Sequence, residues 1–76
     1  MELKVLTTKE EKPSLKEAQA SVGGLVELVN LPNGDQMLVN EEGIMKELPI
    51  NDPASSASGQ RILGNAIILV GDARWD

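Results

Sequence analysis

The acidic residues are the side chains of this sequence that are best placed to do chemistry. Asn40, Glu41 and Glu42 follow one another, and Asp35 lies shortly before them. Clustered oxygens are ligands for calcium or magnesium, and paired carboxylates can divide acid and base roles. The spacing does not match the alternating ligands of the EF-hand calcium loop. Neighbouring carboxylates in one exposed turn also share the same environment, so we expect a solvated turn without metal ion or cofactor.

Composition excludes most other catalytic chemistry. The chain has no histidine, cysteine, tyrosine or phenylalanine, and therefore lacks the imidazole, the thiolate and the ligands that zinc prefers. Ser55, Ser56 and Ser58 have no evident activating base. The glycines at Gly23-Gly24 do not belong to a phosphate-binding motif. We expect no enzymatic activity and no catalytic residue.

Size and charge restrict the partners. The 76 residues predict one small domain, 1–76, which buries too little surface to be very stable alone. Without disulfides, such a chain is expected to form a homo-oligomer or to bind a partner. A net charge of -5 with scattered basic residues disfavours nucleic acid. The longest apolar stretch, Ala66 to Val70, is too short to span a bilayer, and we expect a cytoplasmic protein without membrane contact.

The elements that must position any site begin with a short strand and a helix. Leu3, Val5 and Thr7 alternate with other residues in the manner of a strand. Ser14 and Glu17 then form a capping box, which predicts a helix from Leu15 to Val22 ending at Gly23-Gly24.

The middle and end of the chain predict further strands. Asn33-Gly34 lies between two aliphatic runs and predicts a hairpin, and Ile44 to Leu48 is expected to add a third strand to a meander. Asp52, as an N-cap before Pro53, predicts either a helical turn over Pro53 to Ser58 or a loop. The apolar run that ends at Val70 predicts the core strand. The fold class is α+β, with a small, largely antiparallel sheet of four or five strands and one short helix packed on it.

Several short motifs follow one another along residues 20–71: Val22-Gly23-Gly24-Leu25-Val26-Glu27, Leu31-Pro32-Asn33-Gly34, Val39-Asn40-Glu41-Glu42-Gly43, Leu48-Pro49 with Asn51, and Leu63-Gly64-Asn65. In this order they resemble a small family of unknown function encoded by tailed phages, including those of cyanobacteria, and by some bacteria. The resemblance implies a phage or mobile-element setting, hence a host cytoplasm, and a compact α+β fold. It assigns no catalytic residue.

Arg74 and Trp75 are the candidate protein-contact residues. They lie in a polar C-terminal tail, residues 71–76, and Trp75 is the only aromatic residue of the chain. Tryptophan is a frequent anchor of protein interfaces, and an arginine beside it could stack on a partner or pair with its carboxylates. The other interpretation of Trp75 is a lid over a core that has no other aromatic bulk.

Three functions remain open from the sequence. The first is a small interaction module that binds a host or phage protein and changes its activity. The second is a binder that sequesters a nucleotide-type signal in a pocket between subunits, although the acidic balance argues against a polyanionic ligand. The third is a structural or assembly component whose adhesive element would be Ile67 to Val70, if this strand lay at a sheet edge.

Overall fold

A mixed sheet of four strands organises the fold in the computed structural model, which describes residues 1–76. The strands are β1 Leu3–Leu6, β2 Val26–Asn30, β3 Gln36–Asn40 and β4 Ala66–Leu69. Two α-helices, α1 Leu15–Val22 and α2 Asp52–Ser58, and two short 3-10 helices, Lys9–Glu11 and Gly71–Ala73, complete the chain. The predicted α+β class is confirmed. Neither α-helix is long and apolar enough to cross a membrane.

The strand order is β1-β4-β3-β2. β4 runs antiparallel to β3 and parallel to β1, so the sheet is mixed and the prediction of a largely antiparallel sheet missed this parallel pair. All four residues of β4 are buried, which confirms it as the core strand. Because β4 is central, its apolar run is not the adhesive edge that the assembly hypothesis required.

Helix α1 has the predicted bounds and the predicted ends. The Ser14 hydroxyl accepts the backbone N–H of Glu17 at 3.1 Å, and the Glu17 carboxylate accepts that of Ser14 at 2.9 Å. Gly23 ends the helix in the left-handed conformation at φ 83°. Only the face that carries Ala18 and Val22 is buried. A helix of eight residues makes about two turns and depends on this packing to persist.

The hairpin of β2 and β3 is confirmed, with one local difference. Only Gly34 of the Asn33-Gly34 pair has a positive φ, 93°. The Gly34 N–H bonds to the carbonyl of Leu31 at 3.0 Å, and the N–H of Leu31 bonds to the carbonyl of Asp35 at 2.8 Å. This is a turn followed by a glycine bulge, which is the usual form of slightly longer hairpin loops.

Two elements differ from the sequence prediction. Residues 44–48 do not form a strand, because the chain makes successive turns over residues 41–47 and β4 occupies the second edge of β3. The segment that begins near Pro53 is a second helix, α2, where one helix had been expected to pack on the sheet. Its N-cap is Asn51, one residue before the expected Asp52.

The two faces of the sheet carry separate cores. One face packs with α1 and the C-terminal segment, and the other packs with α2 and the chain around Ile62. Successive strand residues point to opposite faces, so β4 supplies Ile67 and Leu69 to the first core and Ala66 and Ile68 to the second. The fold is thus a thin sheet covered on both sides.

Candidate functional site

Trp75 lies folded against the first core. Its partly buried side chain packs against this cluster, and its ring N–H donates to the carbonyl of Pro13 at 2.9 Å. The Trp75 side chain therefore closes one end of the core, in the manner of the lid interpretation. Its role as a contact for a partner protein stays a prediction.

Gln36 fixes the backbone at Trp75. The Gln36 amide nitrogen donates to the Trp75 carbonyl at 2.7 Å, and its amide oxygen accepts the Trp75 N–H at 2.6 Å. Arg74 remains exposed, although its guanidinium donates to the carbonyls of Gly71 and Gly34 at 3.1 and 3.2 Å. The segment after β4 is thus held to the body of the domain, and a partner could reach Arg74 more easily than Trp75.

The carboxylates that could have formed a metal site do not come together. Asp35 and Glu41 lie at opposite ends of β3, which places them about 20 Å apart at the usual rise of a strand. The Asn40 side chain is buried and donates to the carbonyl of Val22 at 3.1 Å while accepting the N–H of Glu42 at 2.8 Å. No group of three or more acidic residues is placed to hold an ion.

The serines near α2 have structural partners. The Ser55 hydroxyl accepts the N–H of Ile62 at 2.9 Å, and the Ser58 hydroxyl accepts the N–H of Gln60 at 3.1 Å. Both bonds tie α2 to the chain that follows it. Neither hydroxyl is hydrogen-bonded to a group that could act as its base.

A hydrogen-bonded turn, Glu41 to Glu47, is the most prominent surface feature. Backbone bonds run from Gly43 to the carbonyl of Asn40, from Lys46 to that of Glu42, and from Leu48 to that of Gly43, at 3.2, 2.9 and 3.0 Å. Gly43 is buried, and a side chain there would meet the Leu63 carbonyl at 2.9 Å. The turn is therefore fixed at its base by close packing, and its outer residues have a defined position.

Ile44 and Met45 project from this turn. Their exposed fractions are 75% and 81%, the two largest among the bulky apolar residues of the chain. We call these two side chains the apolar knob. Folding gains nothing from leaving two such side chains in water, since burying each would stabilise the protein by roughly 1.5–3 kcal/mol. An exposed apolar group on a rigid support is typical of a contact surface.

A groove of about 190 Å³ lies beside the knob. Its floor is the outer part of the second sheet face, and its walls are the turn and the segment after α2. Two exposed carboxylates and one guanidinium border it: Glu27, Glu41 and Arg61. These charges do not suit a polyanion such as a nucleotide, because the two carboxylates outnumber the one guanidinium.

The charge around the knob is acidic. Glu41 and Glu47 are exposed, and Glu42 pairs with Lys46 at 3.6 Å. With a net charge of -5 for the whole chain, this surface attracts groups of positive charge.

Two carboxyl groups have lowered pKa values, and each belongs to the capping box at the start of a helix. The backbone N–H of Thr7 and the hydroxyl of Thr8 lower the pKa of Glu11. The backbone N–H and hydroxyl of Ser14 lower the pKa of Glu17. Hydrogen bonds that favour the charged form explain both shifts, and neither group belongs to the knob or the groove.

Sequence reasoning missed the knob because it assigned Ile44 to Leu48 to a strand. A signal against that strand was present: the two apolar residues are adjacent and are flanked by Gly43 and Lys46, without the alternation of a half-buried strand. Adjacent apolar residues in a strand point to opposite faces, whereas in a turn both can face the solvent.

The fold and its surface define a small α+β domain. The chain belongs to the family described as Domain of unknown function (DUF3846), whose model matches residues 2–76. No curated protein and no solved structure matches the chain.

Proposed function

We propose that this protein is a small interaction module that binds and modulates a protein partner, and that the apolar knob is its main contact. The observation that carries the proposal is the exposure of Ile44 and Met45 on a turn that is fixed by hydrogen bonds and by the packing of Gly43. A rigid apolar contact loses little conformational entropy on binding. The module acts without catalysis, in keeping with a chain that lacks histidine and cysteine.

The partner that fits this surface has an apolar pocket with lysine or arginine at its rim. The pocket accepts Ile44 and Met45, and the basic rim faces Glu41 and Glu47, which are both exposed. Electrostatic complementarity of this kind mainly raises the association rate and falls with added salt. On the resemblance described above, the protein is phage-encoded, acts in the host cytoplasm and binds a host or phage protein.

Capture of the partner by variants with exposed apolar residues replaced by serine tests the proposal. The wild type and the double variant Ile44→Ser, Met45→Ser are immobilised, and bound host and phage proteins are quantified by mass spectrometry. Val5→Ser is the control, because Val5 is also apolar and 54% exposed but lies in β1. We expect a protein whose recovery falls at least about tenfold with the double variant, as hot-spot residues imply, and stays unchanged with Val5→Ser.

The same experiment compares the second candidate contact. If Arg74→Ala reduces recovery and the double variant does not, the contact lies at Arg74 and Trp75 and the knob is wrong. Equal recovery with all variants would contradict both contact sites. Raising the salt concentration is expected to reduce recovery of the true partner, since its basic rim is screened.

A further inference from the structure

β2 is a free edge of the sheet with an ordered backbone. It pairs with β3 on one side only. The N–H of Glu41 bonds to the carbonyl of Leu25, and that of Leu31 bonds to the carbonyl of Asp35, both at 2.8 Å, so these pairs bracket the ladder. In an antiparallel ladder hydrogen-bonded residues alternate. The backbone groups of Val26, Leu28 and Asn30 therefore point away from β3, toward solvent.

The other edge of the sheet is less suited to pairing. β1 has four residues, and the chain turns immediately after it, where the Glu11 carboxylate accepts the N–H groups of Thr7 and Thr8 at 3.1 and 3.2 Å. β2 is longer and is preceded by Leu25, whose side chain is 51% exposed. A free edge with an exposed apolar neighbour is a template for another strand.

We propose that a second copy of this chain pairs with β2, antiparallel, about a two-fold axis at Leu28. In this register Leu28 faces the partner's Leu28 and Val26 faces the partner's Asn30. The three outward residues of each strand then all find partners, which gives about six backbone hydrogen bonds between the subunits. The two four-stranded sheets become one continuous sheet.

Charge and backbone chemistry select this register among its neighbours. An axis at Glu27 would place two carboxylates directly opposite each other, which is destabilising. An axis at Val29 or Asn30 would bring Pro32 into the ladder, and proline has no N–H to donate. With the axis at Leu28, Glu27 faces the partner's Val29, and the exposed Leu25 faces the partner's Leu31.

The pairing also joins the two grooves. Glu27 and Val29 border the groove of one subunit, and the axis places the same residues of the second subunit beside them. The dimer therefore presents one longer groove that neither chain forms alone. This inference uses the backbone of β2 and does not rest on the apolar knob, so either proposal can fail while the other holds.

Salt dependence separates this dimer from the partner contact. Each subunit carries a net charge of -5, and bringing two such chains together is opposed by repulsion that salt screens. Dimer affinity is expected to rise between about 50 mM and about 500 mM salt, whereas binding of a basic partner is expected to fall.

Hydrogen exchange of the wild-type protein tests the edge directly. The chain is examined from about 10 μM to about 1 mM, the range in which a small interface associates, and sedimentation is measured in parallel. The amides of Val26, Leu28 and Asn30 should become protected as the dimer forms. Those of Glu27 and Val29 should be protected throughout, because they bond to β3. A monomer at all concentrations, or a dimer without concentration-dependent protection at these three amides, would overturn the proposal.

Two matched substitutions test the hydrogen bonds and the register. Asn30→Pro removes an outward N–H without removing a bond to β3, and Asn30→Ala removes the same side chain but keeps the N–H. The dimer dissociation constant should rise at least about fivefold with Asn30→Pro, as two lost bonds imply, and stay near that of the wild type with Asn30→Ala. Equal values for two folded variants would refute the pairing.

The register is tested with single cysteines, which is possible because the chain has none of its own. Leu28→Cys should form a disulfide-linked dimer, since the two Cα atoms would lie about 5.5 Å apart. Glu27→Cys should not, because its Cα atoms would be about 7–8 Å apart on the diagonal. The reverse result would place the axis at Glu27 and contradict the proposed register.

Discussion

Replacing Asn51 by alanine is expected to remove a large part of the stability of the domain. Asn51 is fully buried, and its amide nitrogen donates to the carbonyls of Glu2 and Gly64, both at 2.8 Å. Its amide oxygen accepts the N–H of Ala54 at 3.1 Å and caps α2. One side chain thus connects the start of β1, the start of α2 and the chain that leads into β4.

The size of the effect follows from these three bonds. Each contributes about 0.5–1.5 kcal/mol net, and a buried group left without a partner costs more, so Asn51→Ala should lower the free energy of unfolding by about 3–4 kcal/mol. A domain of 76 residues has a total of only about 4–11 kcal/mol. The thermal midpoint should therefore fall by roughly 15–25 °C.

Urea and thermal unfolding followed by circular dichroism measure this change, with two comparison variants. Asn33→Ala is the control, because Asn33 also hydrogen-bonds through its side chain but is exposed in the hairpin turn, and its loss should stay below about 1 kcal/mol. Asn51→Asp keeps the cap acceptor and removes both donors. It should be at least as destabilising as Asn51→Ala, because an oxygen would then face two carbonyls. A loss below about 1 kcal/mol for both Asn51 variants would refute the reasoning.

Two further predictions concern stability. Trp75→Ala should lower the free energy of unfolding by about 2–3 kcal/mol, through lost packing and the lost bond to Pro13, whereas Trp75→Phe should lose about 1 kcal/mol; equal, small losses would contradict the lid. The pKa of Glu17 is lowered in the folded protein from its ordinary 4.5 because its carboxylate accepts the N–H of Ser14. The folded state therefore binds fewer protons, and this contribution is present above about pH 4.5 and disappears as the pH falls through the folded pKa. Glu17→Gln keeps an acceptor but does not titrate, so acid unfolding should show a shallower pH dependence; an unchanged profile would count against the cap.

The elements predicted correctly are those whose signals are local. Ser14 and Glu17 define the start of α1, and Asn33-Gly34 defines the hairpin, because each depends on atoms within a few residues. The apolar run of β4 predicts burial on both sides for the same reason. The choice of Arg74 and Trp75 as contact residues is also local, because it rests on residue type and position near the end of the chain, and it stays a prediction.

The elements that were missed depend on distant parts of the chain. The parallel pairing of β1 with β4 joins residues 3–6 to residues 66–69, and no local sequence pattern indicates this pairing. α2 forms although serine lowers helix propensity, because Asn51 caps it and Ala54 is buried in the second core. Ile44 and Met45 belong to a run that we assigned to a strand, but β4 pairs with the edge of β3 that this run would have used.

The amino-acid sequence by itself determines which side-chain types are absent and the net charge. It also determines the ends of α1 and of the hairpin, since short-range hydrogen bonds suffice for these. The tertiary structure alone decides the side-chain contacts and exposure that give Trp75 and the knob their positions. It also decides which strand edge stays free, because an edge is free only when the rest of the chain has used the other edges. For this protein, packing leaves one edge of β2 unpaired and the side chains of Ile44 and Met45 exposed to solvent.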